Sequence, residues 1–260
     1  MAVNRMERIL GEMKQAGEKI LVAYYPLCDP LLDDPVAWAG KYFENGATVL
    51  EMGLPYENPC LDGKIVRESM ERALTKHTVD DAFDVIAELR QAYPNNILQV
   101  MTYFEIIDKM GIENFAKRCA ECGADGVLTP NIPQSRVAEL DRALGAYHLL
   151  QLRFAPFHLS GDAINDLKAN AKGYIFLQAV DGATGPQEKT SPQVGENVKT
   201  LKQSGIDTPV VAGFGISNAQ HVREMKAMGA DGVIVGSKII SEIQNGNGEE
   251  FIRQLRSALQ

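Results

Sequence analysis

Short, nearly unbroken apolar runs recur along the chain: KILVAYYP, ATVLEMG, NILQVMT, DGVLTP, HLLQLRF, GYIFLQAV, TPVVAG and DGVIVG, eight in all. A strand with one wet face would alternate apolar with polar. Continuous hydrophobicity instead predicts strands covered on both faces, as in a parallel sheet. Helical patterns fill the intervals. In DDPVAWAGKYFENG, Asp34 can cap and Pro35 can take the first helical position, with Val36, Gly40 and Phe43 along one face. In TVDDAFDVIAELRQAY the shared face is Phe83, Ile86 and Leu89. SNAQHVREMKAMG opens with Ser217 and Gln220 at capping-box spacing and ends at Gly229. The amphipathic start, MAVNRMERILGEMKQAGEK, predicts a further helix ahead of the first strand.

An internal repeat runs through these units. NGATVLEMG, CGADGVLTP and MGADGVIVG each read as helix end, glycine turn, strand. Strict strand–helix alternation over about 250 residues is the pattern of a (β/α)8 barrel. The expected class is α/β, a TIM barrel with an extra N-terminal helix. An open doubly wound sheet is the rival, but no G-x-G-x-x-G follows the first strand, which weakens its dinucleotide-binding version. No linker-like or low-complexity stretch interrupts residues 1–260, so one domain is expected.

Composition narrows the functions. The chain has 260 residues, 23% of them charged, and a net charge of −8. Nucleic acid and anionic membranes demand clustered Lys and Arg, and no such cluster occurs. No apolar run reaches the roughly 18–20 residues that span a bilayer. The N-terminus lacks the apolar core of a signal peptide, so a cytoplasmic protein is expected. Cys119 and Cys122 make a C-x-x-C without the second pair of a zinc site, in a helical pattern where packing explains them. Cys28 and Cys60 fall in predicted loops, where either could line a pocket. The histidines at 77, 148, 158 and 221 show no ligand spacing, and no metal site is expected.

In a barrel, chemistry collects at the carboxyl ends of the strands. Gly213 and Gly215 follow the seventh run; Gly236 and Ser237 follow the eighth and open a short helix. Bare backbone N–H groups at a helix start bind phosphate, although glycines also simply make tight turns. Gly185, in DGATGP, is a further candidate contact. In LEMGLPYENPCLDGK, Glu51 ends the second strand and Asp62 follows in a loop stiffened by Pro55 and Pro59. Two carboxylates facing one cavity can divide proton donation from acceptance. A solvated strand-end Glu and an Asp-Gly turn would look the same. AVDGATGPQEKTSPQ is polar and glycine-rich, as an active-site lid or a plain connection would be. Lys189 lies within it rather than at a strand end, so no Schiff-base lysine is apparent.

These segments resemble one family. LEMGLPYENPCLDG is similar to the E-[LM]-G-[IL]-P-[FY]-x-[DN]-P-x-x-D-G segment of the tryptophan synthase α subunit. VMTYFEII, GATG, AGFGIS and GVIVGS resemble its later motifs, in order, from about Leu21 to Gly236. The resemblance implies cleavage of indole-3-glycerol phosphate to indole and glyceraldehyde 3-phosphate, a retro-aldol step needing no cofactor. It also implies a pyridoxal-phosphate-dependent β subunit as partner, in an α2β2 assembly. By resemblance, Glu51 is the general acid/base at indole C3 and the glycerol hydroxyl, and Asp62 holds the indole N–H, with Thr184 orienting it. Tyr24, Met101, Tyr103 and Phe176 surround the ring, with Val100 and Leu128 as further candidates. Gly185, Gly213, Phe214, Gly215, Gly236 and Ser237 hold the phosphate. Several positions depart from the family's pattern. Cys28-Asp29-Pro30 stands for the usual Gly-Asp-Pro, Asn58 and Asn131 stand for Asp, Ala179-Val180 for Ser-Arg, and Tyr24 for Phe. They fit a distant but ordinary α chain, a paralogue working with a divergent partner, a stand-alone indole-releasing lyase, a mainly allosteric partner, or a barrel with changed pocket walls at Asn131, Gln178 and Val180 and another substrate.

Overall fold

A computed structural model describes residues 3–181, 190–213 and 215–260. Every apolar run becomes parallel strand, and the order of elements follows the chain. The first half comprises α1 (Arg5–Ala16), β1 (Ile20–Pro26), α2 (Pro35–Glu44), β2 (Val49–Gly53), α3 (Lys64–Leu74), α4 (Val79–Ala92), β3 (Ile97–Met101), α5 (Phe104–Met110), α6 (Ile112–Glu121) and β4 (Gly126–Leu128). The second half comprises α7 (Gln134–Ala146), β5 (Leu150–Gln151), β6 (Arg153–Ala155), α8 (Gly161–Asn170), β7 (Ile175–Gln178), α9 (Pro192–Gln203), β8 (Val210–Gly213), α10 (Ala219–Ala227), β9 (Gly232–Val235), α11 (Ser237–Gln244) and α12 (Gly248–Leu259).

HLLQLRF differs from the expected single strand. It forms two short pieces, β5 and β6, with Leu152 between them. The first pairs with β4 and the second with β7, giving the order β5-β4-β3-β2-β1-β9-β8-β7-β6. The one run therefore hands over from one neighbour to the other and closes a (β/α)8 barrel.

The two covered faces explain the unbroken hydrophobicity. Val22, Val49, Ile97, Leu128, Leu150, Tyr174, Phe176, Val211 and Ile234 point into the barrel, and Met6 and Leu10 of α1 pack with them. The alternate residues, such as Leu21, Leu50, Leu98, Val100 and Leu177, meet the helices. Fully burying side chains such as Met6 and Leu10 contributes about 1.5–3 kcal/mol each, which fastens α1 to the barrel. Polar contacts add to this: Arg5 pairs with buried Asp125, and Asn4 Nδ2 donates to the Asp125 carbonyl at 2.9 Å.

The sequence repeat has a structural cause. In each copy the residue after Gly-Ala offers a side-chain oxygen to a backbone N–H of the adjacent strand. Thr48 Oγ1 accepts from Leu21 at 3.1 Å, Asp125 Oδ2 from Leu98 at 2.8 Å, and Asp231 Oδ2 from Val210 at 2.9 Å. Each turn thus sets the entry of one strand against the next and satisfies a buried donor.

Smaller expectations resolve individually. Asp34 caps α2 with Pro35 behind it, and Phe83, Ile86 and Leu89 form the buried face of α4. In α2 the buried positions are Ala39, Gly40 and Tyr42, with Val36 and Phe43 half-buried at the edge. The cap of α10 is Asn218, whose side chain accepts from His221 N; Ser217, the expected cap, instead lies by the His221 ring. Cys119 is buried in α6 and Cys122 caps its end. Among the described residues, no helix is long and apolar enough to cross a membrane.

Candidate active site

Strand register assembles the site. Tyr24 of β1 stands beside Glu51 of β2, which stands beside Gln99 of β3. All three are buried, and Glu51 is 4% exposed. Gln99 Nε2 donates to Glu51 Oε1 at 3.2 Å, and the Tyr174 hydroxyl donates to Gln99 Oε1. The relay Tyr174–Gln99–Glu51 fixes the carboxyl in the barrel interior. Burial pushes the Glu51 pKa up to about 8; the Gln99 hydrogen bond pulls it down, and the negative field of Asp62 adds to the rise.

Asp62 comes from the loop between β2 and α3 and is 7% exposed. Its backbone N–H donates to the Pro59 carbonyl at 3.2 Å, so Pro59 takes part in the turn. The Tyr103 hydroxyl donates to Asp62 Oδ2 at 2.7 Å and accepts from Leu61 N–H at 3.1 Å. The Tyr103 ring stacks on Tyr56, with centroids 5.2 Å apart. Burial and the Asp62 charge raise the Tyr103 pKa, so the phenol stays a donor.

Both carboxyl groups open on one cavity of about 630 Å³, open solvent at its mouth included. Its walls carry Tyr24, Met101, Leu128, Phe176 and Ile234, with Gly215, Gly236 and Ser237 on another side. Gly213 ends β8 behind this wall, where a Cβ would stand 2.7 Å from Phe176 Cζ and 3.1 Å from Ile234 Cβ. Gly215 follows at φ +75°. Gly236 caps α11 without a side-chain bond, so the first-turn N–H groups keep their outward partial positive charge. Among the described residues the lining has two carboxylates and no Lys or Arg.

Most of the expected site residues therefore meet. Tyr103 is buried behind Asp62 rather than on the cavity wall, and Val100 faces the helices, because alternation turns Gln99 and Met101 inward instead. Thr184, Gly185, Lys189 and Phe214 lie outside the described residues. Neither Cys28 nor Cys60 lines the cavity. Asn131 is no pocket wall: its Oδ1 accepts from Phe104 N at 2.8 Å, at the start of α5, and its Nδ2 donates to Glu105. Gln178 Oε1 likewise accepts from Phe157 N at 3.2 Å. Asp29 is buried and takes a two-pronged ion pair from Arg72 of α3, with Nε–Oδ1 at 3.0 Å and the second prong at 2.6 Å. Cys28 sits at φ +61°, the left-handed region that a glycine enters freely. Sequence reasoning missed Gln99 and Tyr174. A polar residue amid the apolar run NILQVMT was the available signal, since it must find a partner inside.

These features define a (β/α)8-barrel protein with a carboxylate-bearing site at the carboxyl ends of its strands. The profile of the family described as "Tryptophan synthase alpha chain" matches residues 10–259. The tryptophan synthase alpha chain of Neisseria meningitidis serogroup B is 32% identical over 250 residues, covering 94% of this chain and 95% of that one. That of Corynebacterium glutamicum is 33% identical over 242 residues, covering 91% and 85%. The crystal structure of tryptophan synthase subunit alpha from Legionella pneumophila superposes with a TM-score of 0.88 at 25% identity, over 99% of both chains. The chain belongs to the tryptophan synthase alpha chain family and is thereby a lyase.

Proposed function

We propose that this chain, acting as one barrel domain, cleaves indole-3-glycerol phosphate to indole and glyceraldehyde 3-phosphate. The observation that carries the reading is Glu51, a buried carboxyl with its pKa pushed up to about 8, sharing one cavity with Asp62. At neutral pH Glu51 rests protonated, as an acid. It gives its proton to indole C3, and positive charge develops at the ring nitrogen, where Asp62 accepts the N–H hydrogen bond. The resulting Glu51 carboxylate takes the proton of the glycerol hydroxyl next to the ring. The carbonyl forms, the carbon–carbon bond breaks, and its electron pair returns to the ring. Indole, the aldehyde and protonated Glu51 result, so the cycle balances without a cofactor. Tyr103 holds Asp62, and Gln99 with Tyr174 holds Glu51. With no cation among the described lining residues, the phosphate falls to the N–H groups around Gly215, Gly236 and Ser237.

The relatives are named as alpha chains, which suggests an assembly. We extend to this chain a β-type partner that receives the indole. A groove beside the cavity mouth, lined by Pro55, Tyr56, Val79, Ile106 and Met110, offers apolar surface for it. The test is release of indole from indole-3-glycerol phosphate by the purified chain, alone and with a tryptophan synthase β subunit. Release that rises with the β subunit supports both parts. Release that ignores it removes the partner, and silence in both conditions removes the reaction.

A further inference from the structure

Five tyrosines are buried in the barrel, and four of their hydroxyls have clear partners. Tyr25 donates to the Pro35 carbonyl at 2.7 Å, Tyr42 to the Tyr24 carbonyl at 3.2 Å, Tyr103 to Asp62, and Tyr174 to Gln99. Tyr24 is the exception. It is 4% exposed, it lines the cavity, and its hydroxyl has no hydrogen-bond partner among the described residues. A buried hydroxyl left unpaired is destabilising, and native interiors rarely keep one without use.

Its position is built rather than incidental. Tyr24 lies beside Glu51 in the strand register, and its ring crosses the end of β2. A Cβ at Gly53 would collide with the hydroxyl, so the absence of a side chain there makes room for it. On the other side, a Cβ at Gly236 would lie 3.3 Å from Tyr24 Cβ. The residue thus stands between the carboxylates and the N-terminus of α11. Burial, then the charges of Asp62 and Glu51, raise its pKa, which keeps the phenol a donor.

We infer that the Tyr24 hydroxyl donates a hydrogen bond to the glycerol hydroxyl oxygen whose proton Glu51 removes, a role that rests on the reaction proposed above. A hydroxyl has one proton to give and two lone pairs to offer. Its proton goes to Glu51 and a lone pair accepts from Tyr24. Negative charge builds on this oxygen as the proton leaves, so the bond strengthens in the transition state. Tyr24 keeps its own proton throughout. Its ring forms apolar wall for the indole, while its hydroxyl selects substrates that carry an oxygen at the first side-chain carbon.

The test compares Tyr24→Phe with the wild type on two molecules. One is indole-3-glycerol phosphate. The other is indole-propanol phosphate, which keeps ring, chain and phosphate but has no glycerol hydroxyls. The expected result is a fall in kcat/KM of about 10- to 100-fold, by analogy with removal of a single transition-state donor, with the dissociation constant for the analogue unchanged. An unchanged kcat/KM overturns the role. So does an equal loss for substrate and analogue, which would mark Tyr24 as packing alone. Wild-type chain that releases no indole, alone or with the β subunit, would instead overturn the proposed reaction, so the two failures are distinguishable.

Discussion

Replacing Glu51 by glutamine removes a titrating group from the barrel interior and keeps its shape. The Gln99 amide can still donate to the Oε1 of the new side chain. The energetic consequence follows from the pKa. In the fold Glu51 holds its proton up to about pH 8, whereas the unfolded chain loses it near the ordinary value of 4.5. Between those values the unfolded state binds fewer protons than the folded one, so stability falls as pH rises. Each pH unit in the window is worth about 1.4 kcal/mol. At pH 5 the wild type is therefore penalised by less than about 1 kcal/mol, at pH 7 by about 3 kcal/mol, and above pH 8 the penalty levels off near 5 kcal/mol. Glutamine does not titrate and escapes the penalty. Urea denaturation of both proteins at pH 5, 7 and 8.5 reads the difference directly. Glu51→Gln is expected to gain stability over the wild type as pH rises, while losing activity. A stability difference that does not change with pH would refute the raised pKa and, with it, Glu51 as the resting acid.

Other consequences are as direct. Tyr103→Phe removes the donor to Asp62 and orphans the Leu61 N–H; a loss of about 1–3 kcal/mol in denaturation, together with a lower kcat/KM, is expected, since bonds to charged groups are the stronger ones. An unaltered kcat/KM would remove Tyr103 from the positioning of Asp62. Arg72→Met leaves the Asp29 carboxylate buried without its counter-charge and is expected to cost about 3–5 kcal/mol. Pairing it with Asp29→Asn should restore part of that loss, and a double variant no more stable than Arg72→Met would contradict the account of the pair.

The strands were legible because their signal is collective. A run such as YIFLQ needs only to be apolar to be buried between helices and barrel interior, and each of the eight runs became strand. The break at Leu152 was not legible, because it depends on which neighbours the run must reach to close the ring. Glu51 and Asp62 could be found as carboxylates at the right end of a strand and in the loop after it. What holds them could not. Tyr103, Gln99 and Tyr174 come from two other strands or their ends, and only the register brings Gln99 beside Glu51. The same alternation turned Met101 inward and Val100 outward, a distinction that a continuously apolar run conceals. Cys28 shows a different limit. Its left-handed backbone explains why a glycine would suit that place, but a sequence carries no φ angle. Asn131 looked like a changed pocket wall until the structure put its side chain at the start of α5.

The central claim is that Glu51 moves both protons of a cleavage at indole C3. A single-turnover experiment with Glu51→Gln and indole-3-glycerol phosphate, with binding measured in the same preparation, tests it most directly. The account predicts substrate bound with nearly wild-type affinity and no indole released. Indole released at close to the wild-type rate would contradict it.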